Sequence, residues 1–173
     1  MIVWLVGLSG SGKTTIGQEL YQIWKKKSPN TVMLDGDDVR SIFQHDTKSA
    51  NYTIEGRLIN AKRMVEICAI LDRQKINVIC CILCIFDQLM LENRKKFHKY
   101  FQVYIDTDIE VLKKRDTKGL YGRALRGQEK NVVGLDINFS PPSKSDLVLS
   151  TAPGAPDPET LARQILNSAG IVI

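Results

Sequence analysis

Five short apolar runs punctuate the chain, at 2–6, 31–34, 77–83, 101–105 and 147–149. They are rich in Val, Ile and Leu and hardly alternate with polar residues. A strand with one face in water alternates, whereas a strand covered on both faces does not, so these runs predict strands of a buried parallel sheet. The stretches between them carry helical spacing, over 13–26, 38–43, 54–74, 88–100, 109–115 and 158–168. In the longest, Leu58, Ala61, Val65, Cys68, Ala69 and Leu71 recur at roughly helical intervals, and Ser28-Pro29-Asn30 stops the first helix. Strand and helix in alternation predict an α/β fold of three layers, a five-stranded parallel sheet with helices on both faces. No repeat or linker divides the chain, and 173 residues suit a single domain over 1–173. Ligands of such sheets bind beyond the carboxyl ends of the strands.

One segment, 116–142, breaks the pattern with four glycines, Lys118, Arg123 and Arg126. An irregular, basic stretch of that length predicts a mobile lid that closes over phosphates.

The residues after the first run read Gly7-Leu8-Ser9-Gly10-Ser11-Gly12-Lys13-Thr14-Thr15. Strand, then Gly-x-x-x-x-Gly-Lys-Thr, then helix is the arrangement of a P-loop, which binds nucleotide phosphates. Glycines let main-chain N–H groups turn inward around phosphates, and the helix N-terminus adds partial positive charge. Lys13 is placed to reach the β- and γ-phosphates and Thr14 to offer its hydroxyl to Mg²⁺.

Composition narrows the partners. The charge of +5 has no basic tail or run, which suits a small polyanionic substrate and not a nucleic acid. The most apolar stretch, 76–86, is too short to cross a bilayer. The apolar first residues lack a basic leader and a cleavage site, so a cytoplasmic enzyme without membrane attachment is expected. Cys81 and Cys84 formally match C-x-x-C, but on a strand they point to opposite faces, and His45 and His98 are distant in sequence. Buried reduced thiols are expected at Cys68, Cys80, Cys81 and Cys84.

Asp35 and Asp37 flank Gly36 just past the second run. Phosphoryl transfer needs alignment, a metal ion and charge neutralisation more than covalent help. A carboxylate here can hold a metal-bound water or accept the proton of an attacking hydroxyl. Asp37 is expected in that base or metal role with Asp35 supporting it; the other reading of Asp35 is a helix cap. Arg40, Arg57, Asn60 and Arg63 form a basic series in which Arg57 and Asn60 share a helix face. Guanidinium suits phosphate or sulfate, although spacing alone favours a solvated face.

Taken in order, these motifs resemble the adenylylsulfate kinase (APS kinase) family, which phosphorylates the ribose 3′-hydroxyl of adenosine 5′-phosphosulfate with MgATP. Besides the glycine-rich loop, Leu34-Asp35-Gly36-Asp37-Asp38-Val39-Arg40, Arg115-Asp116-Thr117-Lys118-Gly119-Leu120-Tyr121 and Gly134-Leu135-Asp136 are similar to family segments. Tyr52, Arg57 and Asn60 reproduce the spacing of its acceptor contacts. The resemblance implies ATP and Mg²⁺ as cofactors, a nucleotide acceptor and a homodimer. It implies ATP contacts from Gly7, Ser9, Gly10, Ser11, Gly12, Lys13, Thr14, Thr15, Arg115, Lys118, Ala152 and Gly154, and metal contacts from Thr14 and Asp37. It implies an acceptor pocket built from Arg40, Tyr52, Arg57, Asn60, Cys84, Phe86, Lys118, Leu120, Val132 and Val133.

The departures fall on the acceptor side. Cys84-Ile85-Phe86 stands where the family has Ser-Pro-Tyr/Phe, and Val132 replaces an aromatic residue that grips the acceptor base opposite Tyr52. Residues 41–51 also differ from the family and form a longer stretch. Losing one stacking face costs about 1–3 kcal/mol per base. A smaller base and an altered tail fit the relatives that phosphorylate cytidine 5′-diphosphoramidate in bacterial capsule modification, slightly ahead of adenosine 5′-phosphosulfate. Intact Lys13, Thr14 and Asp37 disfavour a non-catalytic nucleotide-binding module, and Lys118-Gly119-Leu120-Tyr121 disfavours a shikimate-type kinase.

Overall fold

Each apolar run forms a strand. In the computed structural model, which describes residues 1–43 and 52–172, the strands are β1 (Ile2–Val6), β2 (Thr31–Asp35), β3 (Asn77–Ile82), β4 (Tyr100–Asp106) and β5 (Leu147–Ser150). All pair in parallel in the order β2-β3-β1-β4-β5. The central strand β1 is buried along its whole length, with Trp4 in register with Cys80 on one side and Gln102 on the other. Burial on both faces is why its sequence does not alternate.

Seven helices complete the described residues: α1 (Lys13–Lys27), α2 (Gly36–Ile42), α3 (Ile54–Arg73), α4 (Asp87–Lys96), α5 (Ile109–Arg115), α6 (Leu120–Leu125) and α7 (Pro158–Ser168). Ile2, Trp4 and Val6 face a core closed by α2, α3 and α4, through residues such as Val39, Met64 and Met90. Val3 and Leu5 face the opposite core, closed by α1 and α7 through Ile16, Leu20, Leu161 and Ile165. The three expected layers are therefore present. Cys80 and Cys84 lie in the first core and Cys81 in the second, and all four thiols are free and buried.

Three expectations need correction. The helix expected over 88–100 ends at Lys96, because Phe97 turns extended at φ −92 and ψ 146 and enters the core. Tyr100 then opens β4 beside Ile2. Phe97 and Tyr100, three apart, fit a helix end and a strand start alike, so periodicity set no boundary. The second helix starts at Gly36 and not at residue 38, because the Asp35 carboxylate caps it by accepting from the Asp37 N–H at 2.8 Å. The segment 116–142 is not irregular throughout. It contains α6 and a third small core in which Tyr121, Val132, Val133 and Ile137 pack on Leu8 and Leu112. That core draws on the glycine-rich loop and α5, so no local repeat reports it.

Among the described residues no helix is long and apolar enough to cross a membrane. Residues 44–51, which carry His45 and most of the divergent 41–51 stretch, lie outside the described residues.

Candidate active site

The loop after β1 leaves the sheet in a space that admits no side chain. A Cβ on Gly7 would lie 2.7 Å from the Ile105 carbonyl oxygen and 2.9 Å from Ser11 Oγ. The loop ends at Gly12, which is left-handed at φ 91 and begins α1 without a side-chain cap. The first turn of α1 carries no acid, and its last turn carries Lys25, Lys26 and Lys27. Its N-terminus thus keeps free N–H groups and an uncompensated positive dipole end, the condition for holding an anion. By contrast Asp35, Thr53, Asp108 and Asp157 cap α2, α3, α5 and α7 with their side chains.

Four consecutive carbonyls of this loop, from Leu8 to Ser11, are taken. Leu8 accepts from the Ser11 N–H at 3.3 Å and from Lys13 Nζ at 2.6 Å. Ser9 accepts from the Tyr121 hydroxyl at 2.9 Å, Gly10 from Arg115 Nη1 at 3.4 Å, and Ser11 from the Thr151 hydroxyl at 2.9 Å. Burial lowers the Lys13 ammonium from 10.5 to about 8, against the pull of Cys81, Asp37 and Asp35. Such a lysine, folded onto its own loop, gains a charge partner when phosphate oxygens replace the Leu8 carbonyl.

Beside the loop, the Thr14 hydroxyl donates to Asp35 Oδ2 at 2.7 Å, while Asp35 Oδ1 caps α2. Asp35 therefore performs the capping role and also touches the loop. Asp37, in the first turn of α2 with its side chain 62% exposed, pairs with Arg40 Nη1 at 2.5 Å and with Lys118 Nζ at 3.5 Å. Asp37 thus ties α2 to the lid segment, while Asp35 beside it is the carboxylate that touches the loop. Thr14, Asp35 and Asp37 offer hard oxygen donors, and Mg²⁺ is commonly held by one or two carboxylates together with phosphates, so the residues fit that ion. Among the described residues no group of three or more His, Cys, Asp or Glu is placed to form a cage of protein ligands alone.

Across Asp37 lies a second cationic cluster. Arg40 and Arg57 are only 6% and 8% exposed, and their guanidinium carbons lie 4.7 Å and 5.6 Å from the centre of the Tyr52 ring. Cation–π contact and burial hold these side chains in place. Arg57 also donates to the Tyr52 carbonyl and, from Nη2, to the Asn131 carbonyl of the lid, each at 2.9 Å. Burial, and next the adjacent Arg40, lower Arg57 from 12.5 to about 10, which leaves it charged at neutral pH. Asn60 donates to the Gly36 carbonyl at 3.1 Å, while Asn60 Oδ1 and Arg40 Nε are buried without a partner among the described residues. Unsatisfied buried groups of this kind call for a ligand or water. The series read from sequence as a solvated face is therefore a buried one. Arg63 departs from it and packs over Phe43 at 4.7 Å.

A cavity of about 240 Å³ opens on the other side of the loop, lined by Gly12, Thr15, Arg115, Thr151 and Ala152 among others. Arg115 reaches into this corner, donating to the Thr151 carbonyl at 2.6 Å. Gly154 is exposed in the Pro-Gly turn that follows, where the Ala155 N–H donates to the Ala152 carbonyl at 3.0 Å.

Other expected contacts are buried in the cores. The Cys84 thiol is buried in the first core and donates to the Phe86 carbonyl at 3.9 Å. Val132 and Val133 are buried in the lid core, with Leu120 packed against it. Any contact of these valines or Cys84 with an acceptor would come from backbone and not from side chains. Sequence reading gave no individual site role to Tyr121, Asn131 or Asp136, and placed Thr151 only within a loop near the ATP base. Asp136 shapes the lid by accepting from the N–H groups of Asn131, at 2.5 Å, and Val132. The only sequence signal for these was membership in the lid and base-loop segments.

The sequence model of the family described as adenylylsulphate kinase matches residues 1–150. The chain belongs to the adenylylsulphate kinase family. It is a phosphotransferase, and relatives in this family are kinases. It is 41% identical over 151 residues to the cytidine diphosphoramidate kinase of Campylobacter jejuni, covering 87% of this chain and 86% of that one. It is 34% identical over 155 residues to a probable adenylyl-sulfate kinase of Aeropyrum pernix, covering 87% and 83%. The fold matches that of the Mycobacterium tuberculosis APS kinase CysC, solved with AMPPNP and APS, with a TM-score of 0.83, 24% identity and coverage of 98% and 96%.

Proposed function

We propose that this chain transfers the terminal phosphoryl group of ATP to the ribose 3′-hydroxyl of a nucleoside bearing a 5′-phosphoryl adduct, with cytidine 5′-diphosphoramidate favoured as acceptor. One observation carries the reading: two neighbouring carboxylates join the halves of the site, Asp35 bonded to Thr14 at the end of the phosphate loop and Asp37 paired with Arg40 of the buried arginine pair. A donor polyphosphate and an anionic acceptor would each find cations there, with a proton acceptor between them.

The geometry supports the following roles. The N–H groups of the loop and of the first turn of α1 bind the phosphates, and Lys13 exchanges the Leu8 carbonyl for phosphate oxygens. Thr14 with the Asp35 and Asp37 carboxylates would hold Mg²⁺, which would supply neutralisation of phosphate charge. Arg40, Arg57 and Asn60 orient the acceptor's anionic tail, and Asp37 takes up the proton of the attacking hydroxyl. Lys118 brings lid charge to the migrating group. Arg115 and Ala152 flank the cavity that suits the base of ATP. A cytoplasmic homodimer is the expected working form.

Two facts support a cytidine acceptor. The similarity to the Campylobacter jejuni cytidine diphosphoramidate kinase is 41%, against 34% for the Aeropyrum pernix protein. Val132, at the position of the second aromatic, is packed in the lid core, so the base stacks on one ring, Tyr52. A small pyrimidine loses less than a purine from the missing face. Adenosine 5′-phosphosulfate is the alternative, supported by the adenylyl-sulfate kinase relatives and by the equal suitability of guanidinium for sulfate. Steady-state kcat/KM for both acceptors at saturating MgATP tests the choice. A higher value for cytidine 5′-diphosphoramidate is expected. A tenfold advantage for the adenosine compound would reverse the acceptor assignment, and absence of turnover with both would remove the reading as a whole.

A further inference from the structure

We propose that Tyr121 and Thr151 are positioning residues that shape the phosphate loop by drawing its carbonyl oxygens to one side, so that the N–H groups of Gly10 and Gly12 face the phosphates. The proposal rests on the reading that this loop binds ATP.

The argument starts from the planar trans peptide. Its C=O and N–H point in opposite directions, so fixing one fixes the other. The described residues contain no cis peptide. The Ser9 carbonyl receives the Tyr121 hydroxyl at 2.9 Å, which turns the Gly10 N–H the opposite way. The Ser11 carbonyl receives the Thr151 hydroxyl at 2.9 Å, which does the same for the Gly12 N–H. Gly10 and Gly12 both sit at positive φ, 76 and 91, a backbone that glycine adopts without strain. Without the two donors, either peptide could rotate and present a carbonyl dipole to an anion, replacing attraction with repulsion.

Neither donor is free to leave its place. Thr151 has one hydroxyl proton, and it is committed to the Ser11 carbonyl. The neighbouring Thr107 hydroxyl, 2.8 Å away, must then donate to Thr151 Oγ1, as Arg115 Nη1 does at 3.4 Å. That network fixes both the rotamer and the direction of the proton. Tyr121 is buried in the core formed with Leu8, Leu112 and Val132, so its ring cannot swing. Burial also pushes its phenol up to about 12, which keeps the proton on the oxygen at working pH.

The two donors come from different segments. Tyr121 belongs to α6 in the lid, and Thr151 follows β5 and lines the cavity assigned to the base of the nucleotide. The loop is therefore shaped from outside, by segments that stand 112 and 140 positions away in sequence.

The test is nucleotide affinity measured by calorimetry with ADP, a readout independent of the acceptor. Thr151→Val keeps the shape of the side chain and deletes the hydroxyl, and Tyr121→Phe keeps the ring. Each is expected to weaken ADP binding roughly tenfold, the worth of one well-placed hydrogen bond. Thr151→Ser restores the donor and should return affinity to within about threefold of wild type. KM for the acceptor should stay within about twofold, since its cluster lies on the far side of Asp37. ADP affinity in Thr151→Val and Tyr121→Phe equal to that of wild type would overturn the proposal, as would a serine variant no better than the valine one. Tyr121→Phe carries the test independently of residue 151. Failure of the wild-type chain to bind ADP would strike the functional reading itself and is recognisable as such.

Discussion

Replacing Arg57 by Ala separates the two halves of the site. The guanidinium donates to two carbonyls, Tyr52 and Asn131, each at 2.9 Å, and lies 5.6 Å from the Tyr52 ring centre. Stranding those carbonyls in a partly buried setting costs stability by about 1–3 kcal/mol. In a chain of this size that corresponds to a fall in Tm of about 2–4 °C per kcal/mol. The loss to acceptor binding is separate. A hydrogen bond to an anionic tail contributes about 1.5–3 kcal/mol, or roughly ten- to hundredfold in KM for the acceptor. The proposed function puts ATP on the other side of Asp37, so its KM should remain within about twofold of wild type. Initial rates with each substrate varied at saturation of the other read both constants from one preparation. Arg57→Lys keeps the charge and loses the fork, and its KM for the acceptor should fall nearer to Ala than to Arg. Equal rises in both KM values, or a lysine variant indistinguishable from wild type, would refute the division of the site.

Lys13→Ala should abolish turnover with any acceptor while Tm stays near wild type, because the Lys13 ammonium donates to Leu8 and Ser11 of its own loop; measurable turnover would remove Lys13 from the chemistry. The Lys13 ammonium is lowered from 10.5 to about 8 in the ligand-free chain, so between these values the folded state binds fewer protons than the unfolded one and its stability rises with pH. Phosphate binding needs the charged form, so ADP affinity should weaken above pH 8 with net proton uptake, read by calorimetry in two buffers of different ionisation enthalpy. Lys13→Arg should remove that uptake, and a wild-type chain that takes up no proton at pH 9 would contradict it. A Cβ on Gly17 would lie 2.4 Å from Cys81 Sγ and 3.2 Å from the Met33 terminal methyl. Gly17→Ala should therefore destabilise by about 1–3 kcal/mol in a denaturant melt, and adding Cys81→Ala should recover part of that loss; a strictly additive double variant would deny the contact.

The strands were legible because burial on both faces leaves a plain signature, an unbroken apolar run such as Ile2 to Val6 bounded by loop residues. The phosphate loop was legible because its chemistry is local. Cradling an anion takes adjacent peptides, so Gly7 to Thr15 announce themselves in one stretch. The end of α4 was not legible, because Phe97 and Tyr100 are apolar whether they extend a helix or begin a strand. The α6 segment was missed because its apolar partners, Leu8 and Leu112, come from elsewhere. Val132 was placed at an acceptor pocket by family spacing, yet its side chain packs in the lid core.

What the amino-acid sequence decided alone was therefore whatever depends on neighbours along the chain: the alternation of strand and helix, the cysteines on opposite faces, and the donor half of the site. The strand order β2-β3-β1-β4-β5, the stacking of Arg40 and Arg57 on Tyr52, the tie from Arg57 to Asn131 across 74 positions, and the pinning of loop carbonyls by Tyr121 and Thr151 were decided by the tertiary structure. Hydrogen bonds and buried charges between distant segments leave no periodicity behind, because each depends on where the sheet and its crossovers deliver a side chain and not on what stands beside it in the chain.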